Sequence, residues 1–309
     1  MAKLVHLPNV ERKENTVVTV GTFDGVHEGH KSLIHKVVNK AAKRNARSVV
    51  VSFDPHPREI INSGKKRIRL LTTLEERCEI LGELGIDELI IIPFDRDFSL
   101  LTAEDFIRSV VYEKIGVREF VIGYDHQFGR NREGSIETVQ ELGYELGFDV
   151  HVVEAHEVDK VTVSSTSVRK ALSEEGDVKL AWNFLGRPYK LQGYVSHGDK
   201  RGKQLGFPTA NIQPAHPRKI IPYRGVYAVE VELEEKAWRG MMNIGVRPTF
   251  TGDQQEMLEV HLFNFDRDIY GWYLTVYFLE RIRDEKKFDS KEALIAQLNN
   301  DKQRCLQMK

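Results

Sequence analysis

Apolar residues in the first half of the chain come in short runs without a polar alternate face, at positions 17–20, 49–53, 89–92, 120–122 and 150–153. Runs of that kind are strands covered on both sides. Between them lie amphipathic stretches, including positions 74–84 and 106–115, with apolar residues at helical spacing. The alternation predicts a parallel α/β sheet with right-handed crossovers and a ligand site at the carboxyl ends of its strands.

Beyond Gly186 the pattern changes. Positions 190–195, 225–232, 239–244, 258–263 and 274–278 are strand-like, separated by turns containing Gly, Pro and Asp, and one helix follows from about Lys291. Short strands at that spacing favour an antiparallel barrel or sandwich of modest size. The expected boundary lies near Leu185, with Gly186-Arg187-Pro188 opening the second domain, so that residues 1–185 and 186–309 form separate domains.

Composition agrees with two cores. The chain has 309 residues, 41% of them hydrophobic, which is long for one core and ordinary for two. Its formal net charge of −1 points away from nucleic acid or an anionic membrane as the main partner, and the cluster Lys65, Lys66, Arg67, Arg69 reads as a solvated loop. Cys78 and Cys305 are far apart and each sits in a helix-like pattern, as reduced thiols would. No apolar run reaches membrane-spanning length and the first fifteen residues lack the apolar core of a secretory signal. A cytoplasmic location is expected; self-association is left open.

The chemistry concentrates first in residues 21–30, Gly-Thr-Phe-Asp-Gly-Val-His-Glu-Gly-His, placed between a buried strand and a helix start. Gly21, Gly25 and Gly29 allow a tight turn and close backbone approach, while the N–H groups and positive end of the following helix face an anion. His27 and His30 add donors where charge builds on a phosphoryl group. Phe23 and Asp24 complete the stretch.

This motif resembles the signature of the bacterial flavin-nucleotide adenylyltransferases, a branch of the nucleotidylyltransferase superfamily. Three later stretches resemble the same family in the same order: Phe53-Asp54-Pro55-His56-Pro57, then Gly123-Tyr124-Asp125 with Phe128-Gly129, then Ser164-Ser165-Thr166 with Arg169. The resemblance implies a Rossmann-like domain in which Ser164, Thr166 and Arg169 bind phosphate, and Asp54, His56, Pro57 and Phe128 meet the flavin. Asp125 either binds the nucleotide or caps the turn. His126 stands where the family commonly has an aromatic residue.

A second motif, residues 202–211, reads Gly-Lys-Gln-Leu-Gly-Phe-Pro-Thr-Ala-Asn. On an extended chain Thr209 and Asn211 share a face, so a hydroxyl and an amide oxygen could hold Mg²⁺ bridged to ATP phosphates. The stretch resembles the riboflavin kinase signature. Gly225-Val226-Tyr227-Ala228, Asn243-Ile244-Gly245 with Arg247-Pro248-Thr249, Glu259-Val260-His261 and Asp268-Ile269-Tyr270-Gly271 resemble its further elements in order. The implied fold is a mainly antiparallel barrel with a C-terminal helix.

Taken together the resemblances imply a two-reaction enzyme that phosphorylates riboflavin with ATP in the second domain and joins FMN to AMP in the first. Glu259 and His261 lie on one face of a predicted strand and either could take the proton of the ribityl hydroxyl; the resemblance favours Glu259. Gly202, Lys203 and Gly206 would approach ATP, with Lys200 a further candidate, and Asn243, Arg247 and Arg281 the flavin. The adenylyl acceptor is already an anionic phosphate, so that step needs no general base. Two other readings stay open: a different phosphate-bearing acceptor for the first domain, and a flavin-binding regulatory barrel without turnover.

Overall fold

The computed structural model describes residues 2–61, 67–124, 127–130, 133–154, 157–158, 161–197, 202, 205–248 and 254–308. Contacts divide the chain into two compact units, Met1–Ser165 and Thr166–Lys309.

The first unit is built on six parallel strands: β1 (Lys3–His6), β2 (Thr16–Val20), β3 (Arg47–Asp54), β4 (Glu88–Pro93), β5 (Val117–Gly123) and β6 (Asp149–Val153). Their spatial order is β1-β4-β3-β2-β5-β6. Because both faces are covered, alternate residues of one strand feed different cores. Val18, Val49, Val51, Ile90 and Ile92 pack with Ile107, Val111 and Val139 on one side, and Val17, Val50, Leu89 and Ile91 pack with Ile34, Val37, Ile80 and Leu81 on the other. This is why the sequence shows apolar runs there instead of alternation.

The crossovers are α1 (Glu28–Arg44), the short α2 (Pro57–Ile61), α3 (Leu74–Glu83), α4 (Ala103–Asp105, continued by π-helical turns over Phe106–Ile115) and α5 (Ile136–Leu146). Helix α3 starts on a capping box: Thr73 accepts from the Glu76 N–H and the Glu76 carboxylate accepts from the Thr73 N–H. A two-stranded ribbon of β7 (Glu157–Val158) and β8 (Val161–Thr162) follows β6.

The second unit takes up α6 (Ser165–Lys170) from Thr166, the first residue of this unit, and holds the π-helical turns over Ala171–Glu175 that carry it on and α7 (Val178–Leu185). It continues as a closed antiparallel barrel of β9 (Tyr189–Ser196), β10 (Ala210–Pro214), β11 (Gly225–Leu233), β12 (Lys236–Pro248), β13 (Gln254–Leu262) and β14 (Tyr273–Arg283), in the order β10-β13-β12-β11-β14-β9. Helix α8 (Lys291–Gln307) is N-capped by Ser290 and packs Cys305 among Phe207, Val226, Met241, Phe263 and Ile282. Asp301 of α8 takes Arg283 Nε and Nη2 at 2.9 and 2.8 Å, locking the helix to the end of β14.

The compact units thus divide earlier in the chain than the boundary expected near Leu185. The reason lies in α7 and the turns before it. Val178, Ala181, Phe184 and Leu185 are buried, α7 packs on β14 and β9, and the Tyr223 N–H donates to the Leu172 carbonyl at 2.8 Å.

Candidate active sites

Strand β2 is the point from which the sheet is built in both directions, toward β3 and β4 on one side and β5 on the other. Ligands of open α/β sheets bind at such switch points, beyond the carboxyl ends of the strands. The turn from Gly21 to His27 emerges there and enters α1. A side chain at Gly21 would press on the Phe23 ring, with a Cβ only 3.0 Å from it. His27 is the N-cap residue: its Nδ1 accepts the His30 N–H at 3.3 Å. A backbone N–H can only donate, so neutral His27 carries its proton on Nε2. The two imidazoles stack at 3.6 Å with 17° between their planes. The stacked imidazoles thus sit at the N-terminus of α1, an end that favours negative charge.

Asp24, expected at the phosphates, sits inside the frame of the turn. Its carboxylate is fully buried and accepts from the Leu71 N–H at 3.1 Å, the Thr72 N–H at 2.9 Å and the Thr72 hydroxyl at 3.1 Å. The Gly25 N–H donates to the same hydroxyl at 2.9 Å. These bonds tie Asp24 and Gly25 into the frame of the turn. Phe23 is likewise buried, its ring 4.9 Å from that of His30.

Asp54 ends β3, His56 accepts the Arg58 N–H through Nδ1 at 3.2 Å, and Pro57 starts α2. Phe128 follows β5 and joins a chain of aromatic contacts that the sequence did not single out. Phe53 meets Phe94 (5.5 Å), Phe94 meets Phe98 (5.6 Å), Phe98 meets Phe106 (5.9 Å) and Phe106 meets Phe128 (5.9 Å). Ser164 precedes α6, which carries Thr166 and Arg169. Asp125 and His126 lie outside the described residues.

In the barrel the ladder registers bring three expected residues into one row. Asn211 on β10 pairs with Glu259 on β13, and Glu259 pairs with Asn243 on β12. Thr209 immediately precedes β10. The Gly202 carbonyl accepts the Phe207 N–H at 2.9 Å, and a side chain at Gly202 would strike the Phe207 carbonyl and come within 3.2 Å of the Thr209 hydroxyl. Glycine there lets the loop close over Thr209. Gly206 takes a left-handed φ of 78° in the same turn. Lys200 and Lys203 lie outside the described residues, and Arg247 is described only in its backbone, opposite Gln255.

His261 is buried between Phe207 and Phe263, with ring separations of 5.2 and 5.6 Å, and its Nδ1 is 2.7 Å from the Pro208 carbonyl. It holds the strand to the loop before Thr209. Burial pushes its pKa down, the Pro208 contact opposes this, and Lys302 adds to the decrease. Arg281 donates to the Arg224 carbonyl and to Asp284, each at 2.6 Å. It lines a cleft of about 390 Å³ with Gly176, Asp177, Lys179 and Glu280. No signal in the sequence marked that segment as its neighbour.

Residues 9–167 match the family model described as FAD synthetase, and residues 185–309 match the model described as riboflavin kinase. The chain is 40% identical over 298 residues to the bifunctional riboflavin kinase/FMN adenylyltransferase of Escherichia coli (strain K12), covering 96% of this chain and 94% of that protein. It is 39% identical to the enzyme of the same description from Pseudomonas fluorescens, over 92% of this chain and 90% of that one. A crystal structure titled macrolide-efflux protein from Streptococcus pneumoniae superimposes with a TM-score of 0.91 at 32% identity, over 99% of each chain. Among the described residues no helix is long and apolar enough to cross a membrane. With the parallel sheet, the closed barrel and both family models in one order, this chain belongs to the bifunctional riboflavin kinase/FMN adenylyltransferase family and is a transferase that makes FMN from riboflavin and FAD from FMN.

Proposed function

We propose that the Asn211–Glu259–Asn243 row is the centre of riboflavin phosphorylation and that the stacked histidines at the start of α1 are the centre of adenylyl transfer. The register of the three barrel strands supports the first assignment. Residues directly opposite in a ladder have Cβ atoms about 4.5–5.5 Å apart, a spacing that suits one substrate hydroxyl and its phosphoryl donor. Glu259 accepts the proton of the terminal ribityl hydroxyl as its oxygen attacks the γ-phosphorus of ATP. The bond to the β-γ bridging oxygen breaks, leaving ADP and FMN. Asn243 orients the ribityl chain, and Arg247 and Arg281 are retained as flavin candidates.

The Thr209 hydroxyl and Asn211 amide oxygen are hard donors and fit Mg²⁺. Among the described residues no group of three or more His, Cys, Asp or Glu could hold a metal; Thr209 and Asn211 are the residues that would hold one here. Bound there, Mg²⁺ would neutralise phosphate charge. Gly202, Gly206 and Lys203 complete the ATP loop.

In the first unit the FMN phosphate attacks the α-phosphorus of ATP and pyrophosphate departs. His27, His30 and the α1 N–H groups hold developing charge in a fixed geometry, with Gly21 and Gly29 permitting the approach. Ser164, Thr166 and Arg169 are the further phosphate ligands of this reading, and Asp54, His56, Pro57 and Asp125 its flavin-side candidates. The phenylalanine chain ending at Phe128 offers the isoalloxazine an aromatic wall. Residues 1–185 and 186–309 remain the catalytic divisions of this reading. Cys78 and Cys305 are free thiols, and burial raises Cys305 to about 12; with the ATP requirement this supports a cytoplasmic enzyme. Separate assays of riboflavin phosphorylation and FMN adenylylation in Glu259→Gln and His30→Ala test the two assignments.

A further inference from the structure

Behind the two-histidine turn runs a chain of buried polar contacts that no chemical step uses. Arg77, near the start of α3 and 5% exposed, donates through Nη1 to Ser52 Oγ on β3 at 2.9 Å. Ser52 Oγ donates onward to the Thr22 carbonyl at 3.0 Å. Arg77 Nη2 lies 3.9 Å from Asp24 Oδ1. The guanidinium therefore reaches both sides of Phe23.

Phe23 needs that support. Its φ is 47° and that of Val26 is 40°, left-handed conformations that are unfavourable for an aromatic or β-branched residue and persist only when the surroundings over-determine them. The restraints come from outside the turn: Leu71 and Thr72 on Asp24, Ser52 on Thr22, and the Ser165 hydroxyl on the Asp24 carbonyl at 2.9 Å. Arg77 links the Thr22 restraint, through Ser52, to the Asp24 restraint. A planar fork can serve two acceptors on separate segments, which a lysine ammonium cannot do with the same geometry. Because the Phe23 ring lies 4.9 Å from His30, a shift of residues 22–24 is passed to the imidazoles.

We propose that Arg77, acting through Ser52 and Asp24, is a positioning residue that holds the His27–His30 turn for adenylyl transfer; this rests on the assignment of that turn to FMN adenylylation. A misplacement of about 1 Å at a reacting centre can cost on the order of a hundredfold.

The test uses the full-length chain as Arg77→Lys, Ser52→Ala, their combination, His30→Ala, and His30→Ala with Arg77→Lys. Kinetics of FMN adenylylation are measured in each, with riboflavin phosphorylation as the internal control. Arg77→Lys and Ser52→Ala are each expected to lower kcat about tenfold or more, with KM for FMN and ATP within about twofold. Their combination should lose no more than either alone, since both break one bond, and Arg77→Lys should add little to His30→Ala. Riboflavin phosphorylation should be unchanged. Parent kcat in Ser52→Ala and Arg77→Lys, or losses that add in full, overturns the positioning role while an impaired His30→Ala leaves the site assignment standing. Parent adenylylation in His30→Ala overturns both. If Arg77→Lys does not fold, Ser52→Ala alone decides.

Discussion

Asn211 stands directly opposite Glu259 in the ladder between β10 and β13, and Glu259 stands opposite Asn243 on the next strand. These three groups lie between 16 and 48 residues apart in sequence, and strand pairing in the barrel brings them into line. Backbone pairing fixes the row, so it does not depend on flexible side chains reaching across solvent.

Replacing Glu259 with Gln preserves size and one hydrogen-bonding oxygen but removes the proton acceptor. Riboflavin phosphorylation should fall by about a hundredfold to ten-thousandfold, the range typical of a lost general base. Riboflavin affinity should change much less. The same variant given FMN should form FAD at the parent rate, because the acceptor there is already ionised. Undiminished phosphorylation would move the base role elsewhere, with His261 next to be tested.

His30→Ala removes one imidazole of the stack and leaves the His27 cap on the His30 N–H, a backbone group, intact. FAD formation from FMN should drop, by roughly a hundredfold if the ring stabilises charge as an oxyanion donor does, while FMN formation from riboflavin stays near the parent rate. A variant that makes FAD normally would remove the histidine turn from the reaction.

What the sequence made legible follows from how each element is buried. The inner strands of the sheet stand out because both faces are covered. β1 does not, since of Lys3, Leu4, Val5 and His6 only Val5 is buried. β10 was hidden inside the Gly202–Asn211 motif, where the same residues form the loop and start the strand. The histidine turn was legible because strand, glycines and helix lie within ten residues. Its buried frame was not: Ser52, Thr72 and Arg77 come from other segments at no fixed spacing, so the partners of the Asp24 carboxylate are out of view in the sequence. The aromatic chain from Phe53 to Phe128 was missed for the same reason.

His261 makes barrel stability depend on pH. Burial lowers its folded pKa below the ordinary value of about 6.5. Between those two values the unfolded chain binds a proton that the folded chain does not, so stability is full above about pH 6.5 and declines as pH falls through the folded value. Trp182, Trp238 and Trp272 all lie in the second unit, so tryptophan fluorescence reports its unfolding. The urea midpoint should fall from pH 7.5 to pH 5.5 more steeply in the parent than in His261→Gln, which keeps a donor for Pro208 without a titrating ring. Equal slopes in the two proteins would rule out this origin of acid sensitivity.

The position of α7 predicts where the kinase half can be cut away from the rest. A fragment of residues 186–309 contains all six barrel strands and α8, yet it lacks Val178, Ala181, Phe184 and Leu185, each 4% exposed or less. The three larger side chains contribute about 1.5–3 kcal/mol each when buried, a large share of the roughly 5–15 kcal/mol that stabilises a domain. The cut also removes the Leu172 carbonyl that accepts the Tyr223 N–H, next to the point where the Tyr227 hydroxyl donates to the Tyr223 carbonyl. A fragment of residues 166–309 should therefore unfold cooperatively at clearly higher urea than residues 186–309 and retain riboflavin phosphorylation better at 37 °C. Both are measured side by side by circular dichroism and by FMN formation. If the shorter fragment is equally stable and equally active, the burial of α7 is not what holds the barrel together, and the boundary near Leu185 is the functional one.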